Sequence, residues 1–211
     1  MPLDVRPHLN PATTAVVSSE LQENLIGATS YIPGLAKSAA DGHLIEHADA
    51  LYNAARRVGS CVYYCIDTRR TDGFGHPTNL AVVGRNITSD NGPGDGHGPI
   101  VAKLKPHAED VVCERTQGMT AFFSTSLDQY LRNTGVTTVI ITGVSANIAI
   151  LGSSIEAMNR GYTVIVPPDC IAGDPPSYTE TLLKYTIRNV AYTVPSSTII
   201  DYWNSLPAKG A

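Results

Sequence analysis

The residues with most chemistry to offer are an acid, a guanidinium and a glycine-led turn. Glu20 follows TAVVSS, a run of small and β-branched residues. A carboxylate at the carboxyl end of a central strand sits where open α/β sheets place their ligands. Burial there would raise its pKa and equip it as a general acid or base. The plainer alternative is that Glu20 pairs with Arg115, each neutralising the other. Arg115 stays protonated, so it cannot act as a base. It can clamp a carboxylate or phosphate-like group, or stabilise a developing oxyanion, unless it is simply a solvated loop residue.

The turn GVSAN leads from a strand into a helix, so its amides point into the cleft with the helix's positive end behind them. Ser145 within it resembles a degraded G-x-S-x-G nucleophile elbow. Asn147 replaces the last glycine, however, and no histidine is placed nearby by spacing. Asn147 reads more naturally as a helix cap than as a ligand.

Four cysteines and several histidines complete the inventory. Cys61 and Cys65 share one face of a strand and read as small core residues. Cys113, just before Glu114 and Arg115, is a second candidate nucleophile near the cleft. Cys170 follows Asp169 at a strand end, where packing is the better reading. His43 and His47 have helical spacing but no H-E-x-x-H arrangement. His76 and His97 lie in a glycine-rich stretch with Asp67 and Asp72, and Arg69 and Arg70 there could attract an anionic substrate. No metal and no cofactor is expected.

The elements that must position these groups alternate between strand and helix, the pattern of a parallel sheet covered on both faces. Strands are expected at 14–18, 60–66, 110–113, 137–142, 162–166 and 191–194. A helix over 43–58 carries Leu44, Ala48, Leu51, Ala55 and Val58 on one stripe and ends at Gly59. Further helices are expected at 126–133, at 147–160 before Gly161, and from a Ser177/Glu180 capping box to about Val190. Residues 27–41 and 69–99, rich in Gly, Pro, Asn and Asp, read as irregular loops of functional or oligomer-contact type.

Composition excludes several classes. The 43% hydrophobic and 16% charged content belongs to a folded globular chain rather than a disordered one. A formal charge of -4, with no cluster of basic residues, argues against a nucleic-acid partner. The longest apolar runs are too short to span a bilayer, so no membrane partner is expected. No signal peptide is read at the start, and few, irregularly spaced cysteines point to reduced thiols in a cytoplasmic protein.

Several segments in order resemble the isochorismatase-like hydrolase superfamily. The run TAFFSTSLDQYLRNTGVTTVIITGVSANIAILGSSIEAMNRGYTVIVPPDCIAG is similar to its AF-F-T-L helix, its strand ending in T-G-V, its A-x-x-R-G-Y and its V-x-x-D. The run TTAVVSSELQENLIG is similar to its first strand, which usually ends in Asp-x-Gln. The resemblance implies one domain over 1–211 with a three-layer α/β/α fold and a central, mostly parallel six-stranded sheet.

It also implies a catalytic set of an aspartate, a lysine before the AF segment and a cysteine after T-G-V, and this sequence departs at all three. Glu20 stands at the aspartate. Arg115 stands nearest the lysine, with one extra residue in ERTQGMTAF. Ala149 stands at the cysteine. True isochorismatases also lack that cysteine and are understood to use the acid as a proton donor on a vinyl ether.

The expected substrate contacts are Gln22, Arg70, Thr116, Val144, Ser145 and Asn147, and the resemblance implies a cis peptide near Val144–Ser145. The related nicotinamidases place a metal near the 69–99 stretch, but their Asp-x-His pattern is absent. The expectation is a hydrolase of a small carbonyl-bearing or anionic metabolite, assembled as a dimer or tetramer. The alternative is a ligand-binding pseudoenzyme of the same fold.

Overall fold

The structure is a computed structural model that describes residues 4–68, 74–75, 79 and 98–210. Arg69, Arg70, Asp72, His76 and His97 lie outside the described residues. Five strands form one sheet: β1 (Thr14–Ser19), β2 (Cys61–Asp67), β3 (Val111–Arg115), β4 (Thr138–Gly143) and β5 (Thr163–Ile165). Their order is β3-β2-β1-β4-β5, and every pairing is parallel. β1 and β4 are buried along their whole length. That explains why both read as continuous β-branched runs instead of alternating ones.

The chain steps outward from β1 to β3, then returns to the other side of β1 to lay down β4 and β5. The direction of winding therefore reverses between β1 and β4, and open α/β sheets place ligands in the crevice at such a switch point.

Each face of the sheet carries its own core. One is built on Val16, Val62, Tyr64 and Ile140, under α3 (Leu44–Val58) and α7 (Ser196–Asn204). The other is built on Val17, Tyr63, Cys65 and Ile141, with Leu127 and Leu131 of α4 (Leu127–Asn133) and Ala157 of α5 (Leu151–Asn159). The result is three layers. α3 follows the expected stripe, and Gly59, at φ 84°, closes it by donating its N–H to Arg56. Its last turn holds Arg56 and Arg57, which suit the negative end of the helix. In α7 the fully buried Trp203 donates its indole N–H to the Leu9 carbonyl at 2.9 Å and pins the N-terminal segment.

Three expectations need correction. The stretch 27–41 is not wholly irregular. Just after α1 (Glu23–Ile26), it holds α2 (Pro33–Asp41), whose proline occupies the first turn, where its missing N–H costs nothing. Leu35 and Ala39, four apart, bury its inner face. The helix after GVSAN opens with a wide π-turn (Ala146–Ile150) before α5 proper, so Asn147 lies inside the turn and Ser145 takes the cap position. The Ser177/Glu180 capping box is not used: α6 (Pro176–Tyr185) starts behind Pro175 without a side-chain cap and ends before Val190. At the expected sixth strand, beside β5, the described residues form a parallel bridge between Ile165 and Tyr192. Tyr192 donates to Val164 and accepts from Val166, both at 2.8 Å, and the ladder goes no further.

Candidate active site at the switch point

β1 ends at Ser19, and Glu20 turns the chain out of the sheet with φ 55°, a left-handed conformation that residues other than glycine adopt sparingly. Its N–H donates to the Cys65 carbonyl at 2.9 Å, which fixes the turn against the neighbouring strand. Arg115 is the last residue of β3, two strands away, yet its side chain reaches across the end of β2. There Nη2 donates to Glu20 Oε1 within a fully formed ion pair. Both residues are buried, Glu20 at 7% and Arg115 at 3% exposure. The Arg115 atoms Nε and Nη1 are also buried, and among the described residues they have no hydrogen-bond partner. An unsatisfied buried N–H on a charged group is expensive. Each of these two nitrogens can donate to a further acceptor.

Asp67 ends β2 directly opposite Arg115 and is equally buried, so the ends of β1, β2 and β3 carry acid, acid and guanidinium side by side. Sequence reasoning left Asp67 among the loop residues. The rule that singled out Glu20, a carboxylate closing a β-rich run, applies to it as well.

Gln22 is held by backbone. Its Oε1 accepts from Asp67 N at 2.9 Å, and its Nε2 donates to the carbonyls of Asp67 at 3.1 Å and Gly98 at 2.6 Å. With Val101 N donating to Leu21 at 3.0 Å, this braces the segment from 98 to 101 against the end of the sheet. Those bonds occupy both ends of the carboxamide.

On the other side of β1, Val144 N donates to the Ser19 carbonyl at 3.0 Å. The Val144–Ser145 peptide is cis, where the family resemblance places one, and so is Asp174–Pro175. Ala146 N is taken by the Ala172 carbonyl at 2.8 Å, while Ile148 N and Ile150 N both turn back to Ser145. Not every amide of the turn is therefore available to a ligand. Among the described residues, the Ser145 amide has no backbone partner.

Val144 and Ala149 are buried, Ser145 and Asn147 are partly open, and Thr116 is exposed just beyond β3. The loop after β3 is bound to α5: Ala121 N donates to Ser153 Oγ and Thr120 Oγ1 to Glu156 Oε2, both at 3.0 Å. Glu20, Arg115 and Val144 thus gather directly around the end of β1, while Ala149 sits one turn into the helix. Arg70 lies outside the described residues. Among the described residues no group of three potential metal ligands occurs.

The family model described as the Isochorismatase domain matches residues 14–197. The chain belongs to the isochorismatase family.

Relatives of this isochorismatase-family chain include maleamate amidohydrolase of Pseudomonas putida, 29% identical over 145 residues. That match covers 69% of this chain and 64% of the relative. N-carbamoylsarcosine amidase of Arthrobacter is 26% identical over 167 residues, covering 78% of this chain and 62% of that enzyme. In both, the matched part spans just under two thirds of the relative's length. Ureidoacrylate amidohydrolase of Agrobacterium fabrum is 25% identical over 206 residues and is matched over 90% of its length, 89% of this chain.

The fold matches a cysteine hydrolase from Pseudomonas syringae pv. phaseolicola with a TM-score of 0.78 at 21% identity, covering 94% of this chain and 95% of that one. These relatives are hydrolases named for small metabolites. Among the described residues no helix is long and apolar enough to cross a membrane.

Proposed function

We propose that this isochorismatase-family chain is a hydrolase of a small carbonyl-bearing or anionic metabolite that works without a cysteine nucleophile. Glu20 is the proton-transfer group, water is the attacking group, and no covalent intermediate forms, because Ala149 stands where the family resemblance places the thiol. Arg115 and the amides of the GVSAN turn, the open one of Ser145 among them, take up negative charge on the substrate or its transition state.

The observation that carries this reading is the buried guanidinium of Arg115, bound to Glu20 through one nitrogen and, among the described residues, unsatisfied at the other two. The left-handed backbone at Glu20 supports it, since strain of this kind gathers at functional positions. The amidohydrolases among the relatives suggest the first substrates to try.

A second reading is favoured by the same ion pair. A carboxylate whose oxygen is already taken by the Arg115 guanidinium can be a structural ion pair instead of a proton-transfer group. On that reading the chain is a ligand-binding pseudoenzyme.

The test is a panel of carboxylate-bearing amides, esters and vinyl ethers, assayed before and after thiol alkylation and in Glu20→Gln. Turnover that survives alkylation and disappears in Glu20→Gln supports the hydrolase. Full inactivation by alkylation would move the nucleophile to a cysteine such as Cys113. Ligand binding without turnover across the panel supports the pseudoenzyme.

A further inference from the structure

We infer that Cys65 and Cys113 are a peroxide-reactive thiol pair that closes to a disulfide beneath the Glu20–Arg115 ion pair. The two residues are direct register partners on neighbouring strands β2 and β3, and both are reduced and buried. Neighbouring strands lie about 4.8 Å apart, inside the roughly 4.4–6.8 Å Cα separation that a disulfide bridges. Side chains two residues apart on a strand share a face. Cys65 therefore shares a face with Asp67, and Cys113 with Arg115. The same Cys65 supplies the carbonyl that fixes Glu20 N at 2.9 Å.

The other thiols lack this arrangement. Cys61 faces Ala15 of β1 in register, and Cys170 belongs to the core on the opposite face of the sheet. Only one of the four cysteines' possible pairings is therefore in register.

The pair also has a direction. A hydrogen bond from the Cys65 thiol holds the Cys113 thiol below its ordinary range, whereas that bond and burial push Cys65 upward. The thiolate is the nucleophile in thiol oxidation, so Cys113 reacts first. Access comes through β3, which among the described residues pairs with β2 alone and exposes Val112 and Glu114 on its far face. A five-residue strand at the edge of the described sheet opens locally far more readily than β1 or β4.

The oxidant is hydrogen peroxide. The Cys113 thiolate attacks one peroxide oxygen, so an S–O bond forms, the O–O bond breaks, and hydroxide leaves and is protonated to water. The Cys65 sulfur then attacks the sulfenic sulfur, forming the S–S bond as the S–O bond breaks, and its proton leaves with the hydroxyl as a second water. Two thiols lose two electrons and one peroxide gains them. The product ties β2 to β3 two residue pairs below Asp67 and Arg115.

The experiment is peroxide treatment of the full native chain, followed by denaturation, alkylation, digestion and mass spectrometry, with and without dithiothreitol. A dithiothreitol-sensitive peptide joining Cys65 to Cys113 is expected as the dominant linked species, with Cys61 and Cys170 recovered alkylated. In Cys65→Ser the link is lost and a dimedone adduct collects on Cys113. Cys65→Ala is the second variant, should the serine impair folding by circular dichroism. Recovery of all four thiols alkylated, or a dominant link through Cys61 or Cys170, overturns the inference. So does a link that forms only in unfolded protein.

Discussion

Gly143 and Ser19 meet backbone to backbone where β4 and β1 end. Gly143 has φ 111°, and a Cβ built on it would collide with the Ser19 carbonyl, the oxygen that accepts from Val144 N. Gly143→Ala is therefore expected to lower the unfolding free energy by about 2 kcal/mol or more, the cost of a left-handed backbone plus displacement of the strand end. Urea denaturation measures it. A change within about 0.5 kcal/mol, the range of an indifferent surface substitution, would show that the two strand ends are not so close.

Glu20 and Arg115 should be coupled energetically. Arg115→Met leaves a buried carboxylate without its guanidinium, and breaking such a pair costs about 3–5 kcal/mol. Glu20→Gln with Arg115→Met should cost less than the sum of the two singles, because the double variant buries no unpaired charge. A double-mutant cycle by thermal or urea unfolding reads the difference, and strict additivity would remove the pair.

On a substrate from the panel above, Glu20→Gln should lower turnover about 10²–10⁴-fold, the range of a lost general acid or base. Arg115→Lys keeps the charge but gives up the planar set of donors. It should raise KM more than it lowers kcat. An unchanged KM would take Arg115 out of substrate recognition.

Gln22→Leu should destabilise the chain by about 1–3 kcal/mol, since it strands Asp67 N and two carbonyls away from water. The segment from 98 to 101 loses one of its ties in the same variant, so limited proteolysis should cut there faster than in the wild type. Equal cutting rates would assign the brace to other contacts.

Alkaline stability should depend on Tyr64, whose phenol burial pushes up to about 12 although Arg56 donates to it at 2.8 Å. The ordinary value is about 10. The unfolded chain thus releases this proton first, and the folded state binds more protons between the two values. Stability is intact below about pH 10 and falls as pH rises through about 12. Tyr64→Phe should flatten, without abolishing, the fall in urea midpoint over that window, because Tyr162 is also pushed up to about 12 by burial. An unchanged slope would show that Tyr64 does not carry the dependence.

Much of the frame was legible in residue patterns because those patterns are local. Continuous β-branched runs mark β1 and β4, since a strand buried on both faces has no polar side to show. The stripe of Leu44, Ala48, Leu51, Ala55 and Val58 marks α3, and Gly59 marks its end. Local signals failed where packing overrode them. Pro33 and Gly34 disguised α2, the Ser177/Glu180 pair predicted a cap that the backbone does not use, and the wide turn at Ala146–Ile150 interrupts what reads as one helix.

By itself, then, the order of residues determined most strands and helices, the parallel sheet and the presence of an acid at the end of the first strand. Tertiary structure alone decided which strands are neighbours and in what register. That choice brings Arg115 to Glu20 across 95 residues, sets Asp67 beside them and faces Cys65 with Cys113. The reason is physical: a side chain's periodicity reports which way it points, whereas its partner is chosen by burial summed over the whole sheet.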